Sequence, residues 1–217
     1  MQHFYIDKHP LIQHKMAIIR NKHCSVKQFR DIIKEVTLLL GVKATKDLPL
    51  KDVKVPATTG TITHRALAGK KLAIAPILRA GLGMLDGMLE LIPSARVACI
   101  GLYRNPKTEI PHEYFVKCPN DIQHRQVIIV DPMIATGTTA VDAIGALVKR
   151  HVLPKQMKFL CIICSPNGIH KILRKYPDVT IYTSEEDGPM TPQNYNAYGF
   201  GDAGDRLFGT KGKHTYK

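Results

Sequence analysis

Asp131 follows four branched aliphatics, Val127 to Val130, and precedes Ala135, Thr136, Gly137, Thr138 and Thr139. The small residues offer backbone amides and hydroxyls that can converge on one anion, which is the chemistry of a phosphate cradle. A carboxylate next to a phosphate repels it unless the carboxylate serves a pair of hydroxyls or a metal. The combination therefore points to a phosphorylated sugar. Threonine and glycine after a strand also serve ordinary turns and helix N-caps, and the acid beside them favours the cradle over that reading.

Two elements must hold this group in place. An apolar run without alternation is a strand covered on both faces, as parallel sheets flanked by helices require. Residues 139 to 150 place Val141, Ile144, Leu147 and Val148 at helical spacing, so the positive N-terminal end of a helix faces the same anion. Common nucleotide loops are excluded. No Gly-Lys-[Ser/Thr] follows a strand, and in Gly81-Leu82-Gly83 the third glycine is Gly87 where position 86, occupied by Asp86, would be needed.

The rest of the chain offers less chemistry. Cys161-Ile162-Ile163-Cys164 spells C-x-x-C, but within a strand an offset of three puts the thiols on opposite faces. The five cysteines, mostly inside apolar runs, read as reduced thiols, and the ten histidines show no zinc-type spacing. With a formal net charge of +13 the chain invites polyanion contact, yet its basic residues are scattered and no run of five occurs. There is no stretch of 18 apolar residues and no secretory leader at the start, so a cytoplasmic location without a membrane is expected.

At 217 residues the chain suits one core with a small appendage. Ser25-Val26-Lys27-Gln28 opens a helix as a capping box and Gly41 is expected to end it. Residues 51 to 68 read as an irregular β arm. Strands at 71 to 78, 95 to 102, 127 to 131, 157 to 164 and 179 to 182 alternate with helices at 82 to 91, 139 to 150 and 167 to 175. The fold class is α/β with a mostly parallel sheet flanked by helices. The excursion from 103 to 126 is either a hairpin over the site or an arm that pairs with another subunit. Residues 199 to 209 carry four glycines among Phe200, Leu207 and Phe208, and read as a packed loop whose backbone nears a ligand.

Pro76 to Met84, Tyr103-Arg104-Asn105, Val130 to Gly137 and Gly201 to Lys211 together resemble the uracil phosphoribosyltransferase family, from His9-Pro10-Leu11 to the C-terminus. The resemblance implies a type I phosphoribosyltransferase core (about 70–185) with a small hood from the chain ends (1–50 and 186–217). It implies that uracil and 5-phosphoribosyl-1-diphosphate (PRPP) give UMP and diphosphate in pyrimidine salvage. By motif, Arg79 and Arg104 meet the diphosphate, the turn of Ala135, Thr136, Gly137, Thr138 and Thr139 holds the 5-phosphate, and Asp131 holds ribose hydroxyls. Ala197, Gly201, Asp202 and Ala203 present the uracil edge, with Asp131, Asp202 and Arg104 at the reacting centre. Mg2+ accompanies the diphosphate with few or no protein ligands. A homodimer or higher assembly and a GTP effector are further family properties.

Two positions depart from the family pattern. Thr138 stands where the turn usually has a second glycine, which leads us to expect a tighter or tilted 5-phosphate site. Asn196 to Phe200 lacks the usual proline, which removes a fixed bend before the uracil loop. Two other readings compete. A purine phosphoribosyltransferase usually carries two adjacent acids where this chain has Asp131-Pro132. An RNA-binding regulator on the same fold would need a basic surface away from the site. Residue type alone also allows Arg79 to be a surface ion-pair partner and Asp202 to bond only its own backbone.

Overall fold

Val127 to Val130 are all buried, and their side chains alternate between two separate cores, one on each face of a sheet. This is why the run shows no polar alternation. The computed structural model describes residues 3–104, 111–188 and 199–210, and for 103, 104 and 111–114 the backbone only.

In chain order the elements are β1 (Phe4–Ile6), α1 (Pro10–Ile19), α2 (Val26–Ala44), β2 (Leu50–Ala57), β3 (Gly60–Leu67), β4 (Ala73–Leu78) and α3 (Leu82–Leu91). Next come β5 (Arg96–Val97), β6 (Cys99–Arg104), β7 (Pro111–Lys117), β8 (Val127–Val130), β9 (Met133–Ile134) and α4 (Thr138–Val148). The last are β10 (Met157–Leu160), β11 (Ile163–Cys164), α5 (Pro166–Lys175), β12 (Thr180–Thr183), β13 (Glu185–Glu186) and α6 (Ala203–Phe208). The main sheet runs β1-β12-β10-β8-β4-β6-β7 and is parallel except for the β6–β7 hairpin. Short β9, β11 and β13 form a second parallel layer just beyond its carboxyl edge.

After β4 the chain moves to one side for β6 and then returns to the other side of β4 for β8. The helices that follow β4 and β8 consequently lie on opposite faces. Met84 and Met88 of α3 join the core containing Ile74, Ile128 and Leu160, whereas Ala143, Ile144 and Leu147 of α4 join that of Ala75, Ile129 and Phe159. Where two such helices diverge, a crevice opens between the carboxyl ends of the two strands, the usual ligand position in open α/β sheets. Arg79 and Asp131 immediately follow the two strands that flank it.

Four expectations need correction. Gly41 does not end its helix, because α2 continues to Ala44. A Cβ at Gly41 would stand 2.8 Å from Leu91 and 2.9 Å from Met88, so the glycine permits close packing of α2 on α3. The arm at 50–67 is a regular antiparallel hairpin with a continuous register from Leu50–Leu67 to Ala57–Gly60. The strand expected at 157 to 164 breaks after Leu160, and the offset of Cys161–Cys164 therefore does not separate the thiols onto opposite faces. Both are buried in one core, where burial pushes the Cys161 thiol well above its usual value and neighbouring Cys164 adds to it. The glycine-rich tail is not a loop throughout: Asp202 caps α6, and Gly209 closes it in the left-handed conformation (φ 65°).

Candidate active site

Asp131, Met133, Ile134, Ala135, Thr136, Gly137, Thr139, Ala140 and Asp202 line one cavity of about 300 Å3 at the carboxyl end of β8. Its walls come from distant parts of the chain. Asp131 and the 135–139 turn arrive with the strand, whereas Asp202 arrives with α6, some seventy residues later. Gly201, at φ 74°, occupies backbone space that favours glycine and delivers Asp202 to the rim, and Ala203 follows as the buried first residue of α6.

The turn is built by backbone contact. Gly137 adopts φ 75° as the N-cap of α4, and a Cβ there would meet the Gly168 carbonyl oxygen at 2.6 Å. A Cβ on Gly168 would in turn lie 2.5 Å from the Ala135 carbonyl oxygen. Ser165 locks the junction: its amide donates to the Ile134 carbonyl at 2.8 Å, its hydroxyl donates to the Ala135 carbonyl at 2.5 Å, and it caps α5 through the Gly168 amide. The only left-handed residue in this turn is Gly137. Thr138 is already the first residue of the helix, so replacing glycine there costs no backbone strain.

On the opposite side the β4–α3 turn is pressed onto the end of β8, since a Cβ at Gly81 would stand 2.5 Å from the Val130 carbonyl oxygen. Arg79, largely exposed, lies with its guanidinium carbon 5.7 Å from the centre of the Phe208 ring and Nη2 3.7 Å from Asp205. The arginine thus reaches toward α6 rather than lining the cavity. Asp202 accepts from the Asp205 amide at 2.9 Å, which is the self-bonding role that residue type allowed, and one face of it still forms part of the cavity wall.

Electrostatically, burial and Asp202 both act on Asp131. Desolvation at the end of β8 pushes the Asp131 carboxyl up to about 8, and the charge of Asp202 adds to the rise. An acid tuned this way accepts hydrogen bonds well only once a ligand, a cation or a higher pH favours its ionised form.

The uracil phosphoribosyltransferase family model matches residues 6–210. The chain belongs to that family. Curated relatives named uracil phosphoribosyltransferase include those of Limosilactobacillus fermentum, 52% identical over 97% of this chain and 100% of that protein, and of Anoxybacillus flavithermus, 49% identical with the same coverage. The solved AQ2163 protein from Aquifex aeolicus superposes with a TM-score of 0.88 at 33% identity, over 94% of this chain and 97% of that one.

Of the family positions named from sequence, the structure gathers Asp131, Ala135, Thr136, Gly137, Thr139 and Asp202 around one space, with Thr138 at its edge and Gly201 and Ala203 beside it. The side chain of Arg104 and all of Ala197 lie outside the described residues. Sequence reasoning missed Ser165 and Gly168, although Ser-Pro at the start of a helix is itself an N-cap signal. It also missed Lys171, whose ammonium donates to Thr138 Oγ1 at 2.6 Å.

Proposed function

We infer that this chain is a pentosyltransferase that joins uracil to the phosphoribosyl group of PRPP, giving UMP and diphosphate. The observation that carries the reading is the single cavity in which a strand-end acid, an amide-rich turn at a helix N-terminus and the Asp202 loop meet.

The 135–139 turn suits the 5-phosphate, because α4 directs its first amides and the positive end of its dipole toward that space. Asp131 suits the ribose hydroxyls. Gly201, Asp202 and Ala203 suit the uracil edge, together with Ala197. Arg79 and Arg104 suit the diphosphate, which a planar guanidinium grips with two parallel bonds. In the reaction the anomeric C–O bond breaks, diphosphate departs, and uracil N1 bonds to the anomeric carbon as its proton is lost. Charge builds on the leaving group and on an oxocarbenium-like sugar, so the arginines offset the first and the two carboxylates face the second. Holding the weakly nucleophilic ring in line lowers the barrier further.

Mg2+ fits this donor set as an ion carried by the diphosphate. No group of three or more acids, histidines or cysteines is brought together among the described residues, and an ion that keeps several waters asks for few protein ligands. When bound it neutralises the leaving group.

We assign the chain ends to a hood over the cavity. Arg206 donates to the Ile19 and Asn21 carbonyls, and Arg30 donates to that of Leu207, which ties the two ends together. We also read the 50–67 arm as a contact with a second copy, because Leu50, Ile62 and Leu67 are about half exposed on it. Light scattering tests the homodimer, and activity with and without GTP tests the effector. We read the enzyme as cytoplasmic; no helix among the described residues is long and apolar enough to cross a membrane.

The deciding experiment compares uracil, 5-fluorouracil, cytosine and hypoxanthine as acceptors with PRPP and Mg2+. Turnover of the uracils alone is expected, and appreciable turnover of hypoxanthine would refute the pyrimidine assignment.

A further inference from the structure

We propose that Lys171 is a phosphate-binding residue in this chain, held by Thr138 so that its ammonium becomes a side-chain cation on the 5-phosphate cradle. The proposal rests on the reading of the 135–139 turn as that cradle.

Lys171 Nζ donates to Thr138 Oγ1 at 2.6 Å, and the same oxygen accepts from Thr136 Oγ1 at 3.2 Å. Thr136 lines the cavity, so the ammonium stands two hydrogen bonds from its wall. Where α5 lies relative to the turn is set by backbone contacts. The first turn of α5 is wedged against the cradle through Gly168 and Ser165, and Lys171 lies one turn further along the same helix.

The charge environment has no use for this cation unless an anion arrives. The ammonium sits beside the N-terminal turn of α4, where the helix dipole is already positive. Among the described residues no carboxylate forms an ion pair with it, and α5 contains no acid at all. The exposed Arg174 and Lys175, three and four residues on, share its face of the helix. A dianion in the cradle relieves this like-charge arrangement, and two of the three ammonium hydrogens are not committed to Thr138. A glycine at position 138 would have no hydroxyl with which to hold the lysine, so the threonine and the lysine work as a pair.

Lys171→Gln and Lys171→Arg provide the test, since Lys171 is exposed and neither change disturbs the core. For Lys171→Gln we expect KM for PRPP and the Kd for ribose 5-phosphate to rise together by about tenfold, as for loss of one charge-assisted hydrogen bond. KM for uracil and kcat should stay within twofold, the thermal midpoint should not move, and Lys171→Arg should recover most of the affinity. Unchanged ribose 5-phosphate affinity in Lys171→Gln, with the wild type binding normally, overturns the proposal and leaves the cradle standing. A wild-type protein that fails to bind ribose 5-phosphate removes the cradle reading and this inference with it.

Discussion

Gly137 and Gly168 meet backbone to backbone, so closely that a Cβ on Gly137 would stand 2.6 Å from the Gly168 carbonyl oxygen. One glycine opens α4 at the 135–139 turn and the other belongs to the first turn of α5. Their contact sets the height of the turn above the sheet.

Gly168→Ala is therefore expected to harm the site even though alanine is the better helix former. The added carbon would lie 2.5 Å from the backbone oxygen of Ala135, which cannot move without moving the 135–139 turn. Overpacking of this kind costs about 1 to 3 kcal/mol, more than the roughly 1 kcal/mol that alanine gains in a helix. A lower thermal midpoint together with a raised KM for PRPP is expected. A variant as stable and as active as wild type would show that the turn has slack.

Asp131 sets a pH dependence. Its carboxyl is raised from 3.8 to about 8 in the folded protein, so the native state holds the proton more tightly than the unfolded chain. The associated stability is complete below about pH 4 and is lost as pH rises through about 8. Asp131→Asn has no such ionisation. Its stability relative to wild type should therefore rise between pH 4 and 8 and level off above, which urea unfolding at pH 5 and pH 8.5 would reveal. On the proposed role of Asp131 toward the ribose hydroxyls, the variant's catalytic activity should be low at every pH, because an amide is a poorer acceptor than a carboxylate.

Protons should also move on binding. If the ionised Asp131 receives the ribose hydroxyls, PRPP with Mg2+ drives the carboxyl to ionise, and up to one proton per site is released at pH 7. Calorimetry in buffers of different ionisation enthalpy measures this directly. A heat that is independent of buffer would argue against Asp131 as the hydroxyl acceptor.

For Arg79 and Arg104 the expected loss is in catalysis rather than folding. Arg79 is largely exposed and its ion pair with Asp205 spans 3.7 Å, so Arg79→Lys should leave the thermal midpoint within about 1 °C. Lysine keeps the charge but not the paired donors, and turnover in Arg79→Lys and Arg104→Lys should fall by at least about tenfold. Unchanged steady-state rates would take the residue concerned out of the site.

Stability should instead depend on Arg20. It pairs with Glu185 and, at 2.5 Å, with Asp187, whose side chain is almost wholly buried. Arg20→Met would strand that carboxylate at a cost of about 3 kcal/mol, or on the order of 10 °C in thermal midpoint. A shift below about 2 °C would mean that solvent replaces the arginine.

Much of this protein was fixed by its order of residue types. A short unalternating run of β-branched aliphatics such as Val127 to Val130 suits a strand buried on both faces, and Asp131 and the threonines soon after it specify a polar turn at a strand end. What local patterns could not supply is where distant segments meet. Gly41 looked like a helix stop because its real constraint, the nearness of Leu91 and Met88, lies in another helix. Cys161 and Cys164 looked separated because the break after Leu160 arises from the second strand layer beyond the sheet edge. The crevice itself exists only because β8 returns to the far side of β4, which sends α3 and α4 to opposite faces. The partnership of Thr138 with Lys171, thirty-three residues apart, is likewise a product of two helices packing, and no spacing rule along the chain encodes it.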